Sequence, residues 1–356
     1  MTTGTPARSV DGLDRALRAA SCGDDELAPP DVAARLLRLL IPALDADGGA
    51  LLLMDPHTGL FWTGAVDRLP AASCHPFFAS ELDSEDRRTF RRLARDGAPA
   101  SALSLRGDES GTFRATVLEP SGFGDEVRVV ARDAGVAWGA LSLWRKQAAG
   151  PFGEQHERLL DGVAPQVGAA LRDAVLRSLS TSAAAPVVQG ALVIEGGVVT
   201  EASPDARRLM RELDDPGLEH YRQADHLLAL SRRRSRFSVV LGGRDGGWVT
   251  AHGTALSDTR TVVLLSAPSP ADLLGAVVAG AGLTAREIEV TRLVCRGLSD
   301  AEIARELRIS PHTAHDHVRA VRAKLGVRSR AEVASRVFAD RYLDRFLASA
   351  SVAHED

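Results

Sequence analysis

Between Leu283 and Phe338 the chain announces a helix start four times. Thr284 with Glu287, Ser299 with Glu302 and Ser329 with Glu332 each match the capping box. In that motif a hydroxyl accepts from an early helical N–H and the carboxylate reaches back to the cap's own N–H. The fourth start is Ser310-Pro311, a hydroxyl cap followed by the residue whose fixed φ suits the first helical position. Gly297 and Gly326 stand where two helices would close in a left-handed conformation. This punctuation predicts helices over 285–295, 300–307, 311–325 and 330–340, with Arg308-Ile309-Ser310 as a tight turn.

At about 100° per residue the third helix separates into faces. Ala314, Val318, Val321 and Leu325 form a narrow apolar stripe, which predicts a buried face. His312, Asp316, Arg319 and Ala323 lie opposite, with Thr313, His317, Ala320 and Lys324 on one flank and His315 and Arg322 on the other. A polar helix behind a short helix and a three-residue turn is the arrangement of a helix-turn-helix recognition element. An ordinary amphipathic surface helix fits the same periodicity.

The strings LTAREIEV, GLSDAEIARELRIS, PHTAHDHV and KLGVRSRAEV resemble the LuxR-type (FixJ/NarL-like) DNA-binding domain along its whole length, about one sixth of the chain. The resemblance implies an all-α four-helix domain that binds double-stranded DNA. It places His315, Asp316 and Arg319 at positions that reach base edges, and Thr313, His317 and Lys324 at positions that hold phosphates. His312, on the outer face, completes the set of DNA-binding candidates. The chain departs from the family at Ala314, usually valine, and at His315-Asp316, where a lysine followed by an uncharged residue is common. Those departures weaken the attraction to phosphates. The fourth helix offers Val333 and Val337-Phe338 as apolar surface for a twin helix, so a homodimer, at least on DNA, is expected. RNA polymerase is a further candidate partner.

Charge agrees with a local rather than a global nucleic-acid footprint. The chain carries a net charge of −4, whereas Leu283–Asp340 holds 11 arginines and lysines against 8 acids. Cys22, Cys74 and Cys295 are isolated, so neither disulfides nor a metal site is expected. The first residues lack a basic segment followed by an apolar run, and the apolar run Leu273–Ala285 is too short to span a bilayer. The expectation is a cytoplasmic protein that does not enter the membrane.

Residues 1–28 read as a tail with a weak helix around Leu13–Ala20. Its acidic pair Asp24-Asp25 lacks the preceding strand and the second-strand aspartate of a phosphorelay receiver. From residue 29 to 180 the order is helix Val32–Leu40, a hairpin turning at Asp55-Pro56 to Gly59, a charged helix Ser84–Arg95, strands Glu126–Arg132 and Trp138–Trp144, and a long helix that Pro165 should kink or divide. This order is similar to a GAF sensory domain, most of all in WGALSLWRKQAAGPFGEQHERLLDGVAPQVGAAL. Cys74-His75 has no motif around it that would mark a bilin thiol or haem ligand. Phe61, Trp62, Phe77, Phe78, Phe113, Trp138 and Trp144 suit a core or an apolar ligand pocket. The stripe Leu160, Val163, Val167, Ala170, Leu171 and Ala174 suits either the sheet or a partner helix. Thr181–Pro186 reads as a linker. Residues 186–268 then read strand, Gly-Gly turn, strand, helix and further strands, which resembles a PAS-like domain; Arg232-Arg233-Arg234 is placed between helix and strand. Pro268-Ser269-Pro270 separates it from the domain at 281–345.

The fold class is therefore multidomain α+β, with GAF-like and PAS-like antiparallel sheets ahead of a helical head. The function expected is that of a one-component transcription regulator, not an enzyme, with no cofactor and an unidentified signal. Two rivals stand beside it. One is an interaction module whose helix-turn-helix recognises a protein. The other is a GAF-type enzyme such as a sulfoxide reductase, whose clustered cysteines are missing here.

Overall fold

The computed structural model describes residues 10–21, 27–56, 59, 61–81, 88–103, 113–181, 189–213, 223–242, 247–268 and 281–334. Its contacts divide the chain into two compact units, one holding residues 1–182 and 187–267 and the other holding 183–186 and 268–356.

The first unit begins with helices α1 (Val10–Ser21) and α2 (Pro29–Ala43), then strands β1 (Gly48–Met54) and β2 (Phe61–Asp67). Helices α3 (Ala71–Glu81) and α4 (Phe90–Asp96) follow, then strands β3 (Ser101–Ala102), β4 (Phe123–Asp133) and β5 (Val136–Lys146), and helix α5 (Glu154–Thr181). The strands form one antiparallel sheet in the order β2-β1-β5-β4-β3. β1 and most of β4 and β5 are buried on both faces because helices cover both. α2 and α5 pack on one side, with α1 against both. α3, α4 and the 113–121 turns enclose Leu52, Met54, Phe61, Phe77, Phe90, Phe113 and Trp144 on the other.

Arg128 points into that second layer, almost wholly buried, with Nη1 2.6 Å from Glu81 and Nε 2.9 Å from Glu126. The rings of Phe113 and Phe90 lie 4.4 and 4.9 Å from its guanidinium carbon. Burial pushes the Glu81 carboxyl up despite the adjoining Arg128, and Arg88 stands 3.6 Å from Glu126, balancing the charges. Two charged residues facing the core from alternate positions of a strand contradict the usual apolar-in pattern, and here they are paired rather than exposed.

Several sequence expectations are corrected in this unit. The charged helix expected over Ser84–Arg95 begins at Phe90, because Thr89 caps it by accepting from Arg92 N at 3.4 Å, and Ser84 lies outside the described residues. α3 has no counterpart among the sequence expectations, because Pro76 lies inside it. α5 runs undivided through Pro165, since all six residues of its stripe are buried against the sheet and its neighbouring helices. That approach is close: a Cβ on Gly168 would sit 2.4 Å from the Arg132 carbonyl carbon.

After α5 come β6 (Gln189–Glu195), β7 (Val198–Ala202), α6 (Pro204–Leu213), α7 (Gln223–Arg233), β8 (Arg236–Gly242), β9 (Trp248–Ala255) and β10 (Arg260–Ser266). Gly196 and Gly197, at φ 60° and 81°, make the predicted turn, and Ser203 Oγ caps α6 by accepting from Ala206 N at 3.1 Å. Arg232 and Arg233 end α7 instead of forming a loop. This sheet has the order β7-β6-β10-β9-β8, the same pattern as the first when each is counted from its own first strand. α6 and α7 cover one face, burying Leu192, Ile194, Leu209, Leu230, Val263 and Leu265. The two sheets meet inside one unit. Trp62 of β2 lies edge-to-face on Trp248 of β9 at 5.3 Å, and the Trp248 indole N–H donates to Ser178 Oγ of α5 at 3.1 Å.

The second unit contains α8 (Ala285–Cys295), α9 (Asp300–Leu307), α10 (Pro311–Lys324) and a last helical stretch, 330–334. Boundaries follow the caps. Thr284 with Glu287 and Ser299 with Glu302 close reciprocal capping boxes, and Ser310 Oγ accepts from Thr313 N at 3.0 Å. The third predicted box is displaced: Ser329 Oγ accepts from Glu332 N at 3.1 Å, but the Glu332 carboxylate bonds Arg328 N at 2.8 Å. Gly297 and Gly326 take φ of 85° and 67° as their positions require. Val290, Leu293, Ile303, Ala314, Val318 and Val321 form the core, and Val333, expected to face a twin helix, is instead fully buried among them. Val337-Phe338 lies outside the described residues.

Candidate nucleic-acid interface

α10 presents the site. Ala314, Val318 and Val321 are buried and Leu325 follows as its C-cap, so the opposite face is forced outward. α9 ends at Arg308, which adopts φ 53°, a left-handed conformation unusual for a side chain of that size. Ile309 then tucks against the core and Ser310 opens α10. The helix-turn-helix therefore comes from local chemistry: a left-handed break, an apolar anchor, then a hydroxyl cap with proline behind it.

On the exposed face the structure joins three of the predicted residues. Asp316 lies 3.0 Å from His312 Nδ1 through one oxygen and 3.4 Å from Arg319 Nη2 through the other. The side chains of His312 and Arg319 remain 88% and 74% exposed, so the carboxylate orients them without covering them. His315 stands on the flank, its Nδ1 3.0 Å from Asp300 Oδ2 at the start of α9. Thr313 is exposed, its hydroxyl 2.8 Å from that of Ser310, while His317 is half-buried.

Lys324 does not join this group. Its ammonium bonds Glu287 Oε2 at 2.6 Å and the Gly282 carbonyl at 3.1 Å, tying the end of α10 to the cap of α8. Burial works to raise the Glu287 carboxyl, yet the bonds from Lys324 and Thr284 hold it below the ordinary glutamate value. Asp300 behaves alike: burial opposes ionisation, but bonds from Arg330 and His315 keep its carboxyl low.

Sequence reasoning passed over Arg308, which is exposed beside the start of α10, and Arg292, Arg296, Arg305 and Arg328, which are also exposed and form no ion pair among the described residues. Their signal was available only as net charge. Redox chemistry has little footing at Cys295, because burial pushes its thiol up to about 11, leaving the thiol protonated at neutral pH. The side chains of Cys74, His75 and Phe78 lie outside the described residues. Among the described residues no cluster of three or more histidine, cysteine or acidic groups is arranged to hold a metal, and no helix is long and apolar enough to cross a membrane.

Residues 281–337 match the model of the family described as bacterial regulatory proteins, luxR family. No curated protein matches the chain. Among solved structures the chain is similar to a bacteriophytochrome from the photosynthetic bacterium R. palustris, at 9% identity and a TM-score of 0.30, covering 74% of this chain and 63% of that one. It is also similar to PelD from Pseudomonas aeruginosa PAO1, at 16% identity and a TM-score of 0.28, covering 73% of this chain and 78% of that one. An extracellular ligand binding receptor from Desulfohalobium retbaense gives 11% identity and a TM-score of 0.21, covering 73% of this chain and 38% of that one. The chain thus spans less than two thirds of the bacteriophytochrome, and similarity at these scores carries no functional argument.

Proposed function

We propose that the chain is a one-component transcription regulator. A head at 281–345 binds duplex DNA through α10, and a sensory region, GAF-like at 29–180 and PAS-like at 186–268, governs it. The luxR-family match supports the DNA-binding part. The observation that carries the reading is the exposed face of α10, where His312, Asp316 and Arg319 are organised into one braced group opposite a buried apolar stripe. Arg319 is the group best suited to guanine O6 and N7 in the major groove, with His312 and His315 beside it. Arg308, Thr313 and His317 are assigned to phosphates. Lys324 is reassigned from phosphate contact to brace, because its ammonium is already bonded to Glu287. Few base contacts fit on one short helix, so two heads on half-sites about one helical turn apart are required.

A mobility-shift assay of the full chain against genomic fragments, competed with random duplex, tests the reading. A sequence-selective shift whose affinity falls steeply with salt is expected. A head that docks on a protein is the second reading, favoured by the engagement of Arg319, Lys324 and Arg330 with carboxylates. Absence of any shift at low salt would favour it.

A further inference from the structure

Asp300 sits at the first helical position of α9, and its two oxygens are divided between different elements. Arg330 donates to Oδ1, and His315 Nδ1 of α10 lies 3.0 Å from Oδ2. Arg330 is itself anchored by a second bond to the Leu298 carbonyl. A carboxylate held ionised in this way can only accept. The proton in the His315–Asp300 bond therefore belongs to the imidazole, and the neutral ring must be the Nδ1–H tautomer with its lone pair on Nε2. With the His315 side chain 67% exposed and Nδ1 turned inward, Nε2 is left on the open side of the recognition helix.

We propose that Asp300 is a positioning residue that fixes the His315 tautomer, so that the base His315 selects depends on pH. The inference rests on the DNA-binding reading above. With the ring neutral, Nε2 accepts and suits the exocyclic amine of cytosine N4 or adenine N6. With the ring protonated, Nε2 donates and suits guanine N7 or O6. The charged groups around His315 are Asp300 and, behind it, Arg330; on its own helix His312 and Arg319 stand one turn away, both drawn to Asp316. Protonation also adds a positive charge to the DNA-facing surface, which strengthens binding to any duplex. The base preference, not the affinity, is therefore the diagnostic quantity.

The test is selection by the full-length chain from a pool of duplexes with a randomised core, at equal ionic strength and at about pH 8 and about pH 6. One position, repeated in each half-site, is expected to change from cytosine or adenine at the higher pH to guanine at the lower. The enrichment ratio should change about fivefold, the worth of one hydrogen bond. Asp300→Asn reverses the logic. Arg330 retains the amide oxygen, the amide N–H faces His315, and the ring must then carry its proton on Nε2. That variant should select guanine at both pH values, whereas His315→Gln should lose all pH dependence at that position. Amide-exchange protection of α9 shows whether Asp300→Asn is folded; if it is not, His315→Gln decides. A wild-type preference that is the same at both pH values, or a pH shift that survives either folded variant, overturns the inference while leaving DNA binding intact. Failure to enrich any duplex at either pH overturns the DNA-binding reading and this one with it.

Discussion

Replacing Lys324 by alanine separates two roles that one residue cannot both fill. Its ammonium lies 2.6 Å from a Glu287 carboxylate that is only 8% exposed and that also accepts from Thr284 N at 2.7 Å. A hydrogen bond to a charged group contributes about 1.5–3 kcal/mol when shielded. The lysine side chain is 36% exposed, and solvent screening reduces that to about 1–2 kcal/mol. At about 1.4 kcal/mol per decade, the protected amides of Ala285–Cys295 should exchange about five- to thirtyfold faster in the full-length variant. The salt dependence of binding to random duplex should not change, because an ammonium committed to Glu287 releases no counterion from a phosphate. The pair also has a pH signature. Burial favours the neutral Glu287 and the Lys324 and Thr284 bonds favour the charged form; the bonds prevail, and the folded value lies below the ordinary one. A depressed acid contributes stability that is present above its unfolded value, about 4.3, and that is lost as pH falls through the folded value. The exchange difference between wild type and variant should therefore shrink below about pH 4. Unchanged exchange together with a salt slope smaller by about one unit would refute the brace and restore Lys324 as a phosphate contact.

Three further outcomes are expected. Arg308→Gly relieves a left-handed conformation costing about 1–2 kcal/mol, offset by about 0.4–1 kcal/mol of unfolded-chain entropy, so calorimetry should show the head melting higher, by up to about 10 °C. Arg319→Ala should cost about 1–3 kcal/mol on a selected site and little on random duplex, while Asp316→Asn should tighten random binding and loosen sequence preference, both read by anisotropy titration. Trp248→Phe should lose about 1 kcal/mol with the bond to Ser178, and Trp248→Ala about 3–5 kcal/mol with the ring contact to Trp62, measured by urea denaturation.

Where the sequence alone specifies the structure, the physics is local. Thr284, Ser299 and Ser310 act within three residues of themselves, and α8, α9 and the start of α10 fall where their spacing placed them. The buried stripe of α10 is equally a matter of helical angle. What distant residues decide was not legible. Lys324 and Glu287 are 37 positions apart and His315 and Asp300 are 15, and no periodicity reports either pairing. Arg128 among Phe77, Phe90 and Phe113 was hidden for the same reason, with its carboxylate partner Glu81 ending a helix that Pro76 had disguised. Pro165 does not divide α5: the missing N–H costs about 3 kcal/mol, and the apolar stripe buried along the helix on both sides of it outweighs that.

The Trp62–Trp248 contact bears on how such chains can be recombined. A graft that moves residues 187–267 onto another head would expose one indole face and orphan another, and would leave Ser178 without its donor. The transplantable cassette is the whole span from α1 to β10, with both sheets carried together. A half-length exchange would need a polar replacement at both tryptophans before it stayed monodisperse.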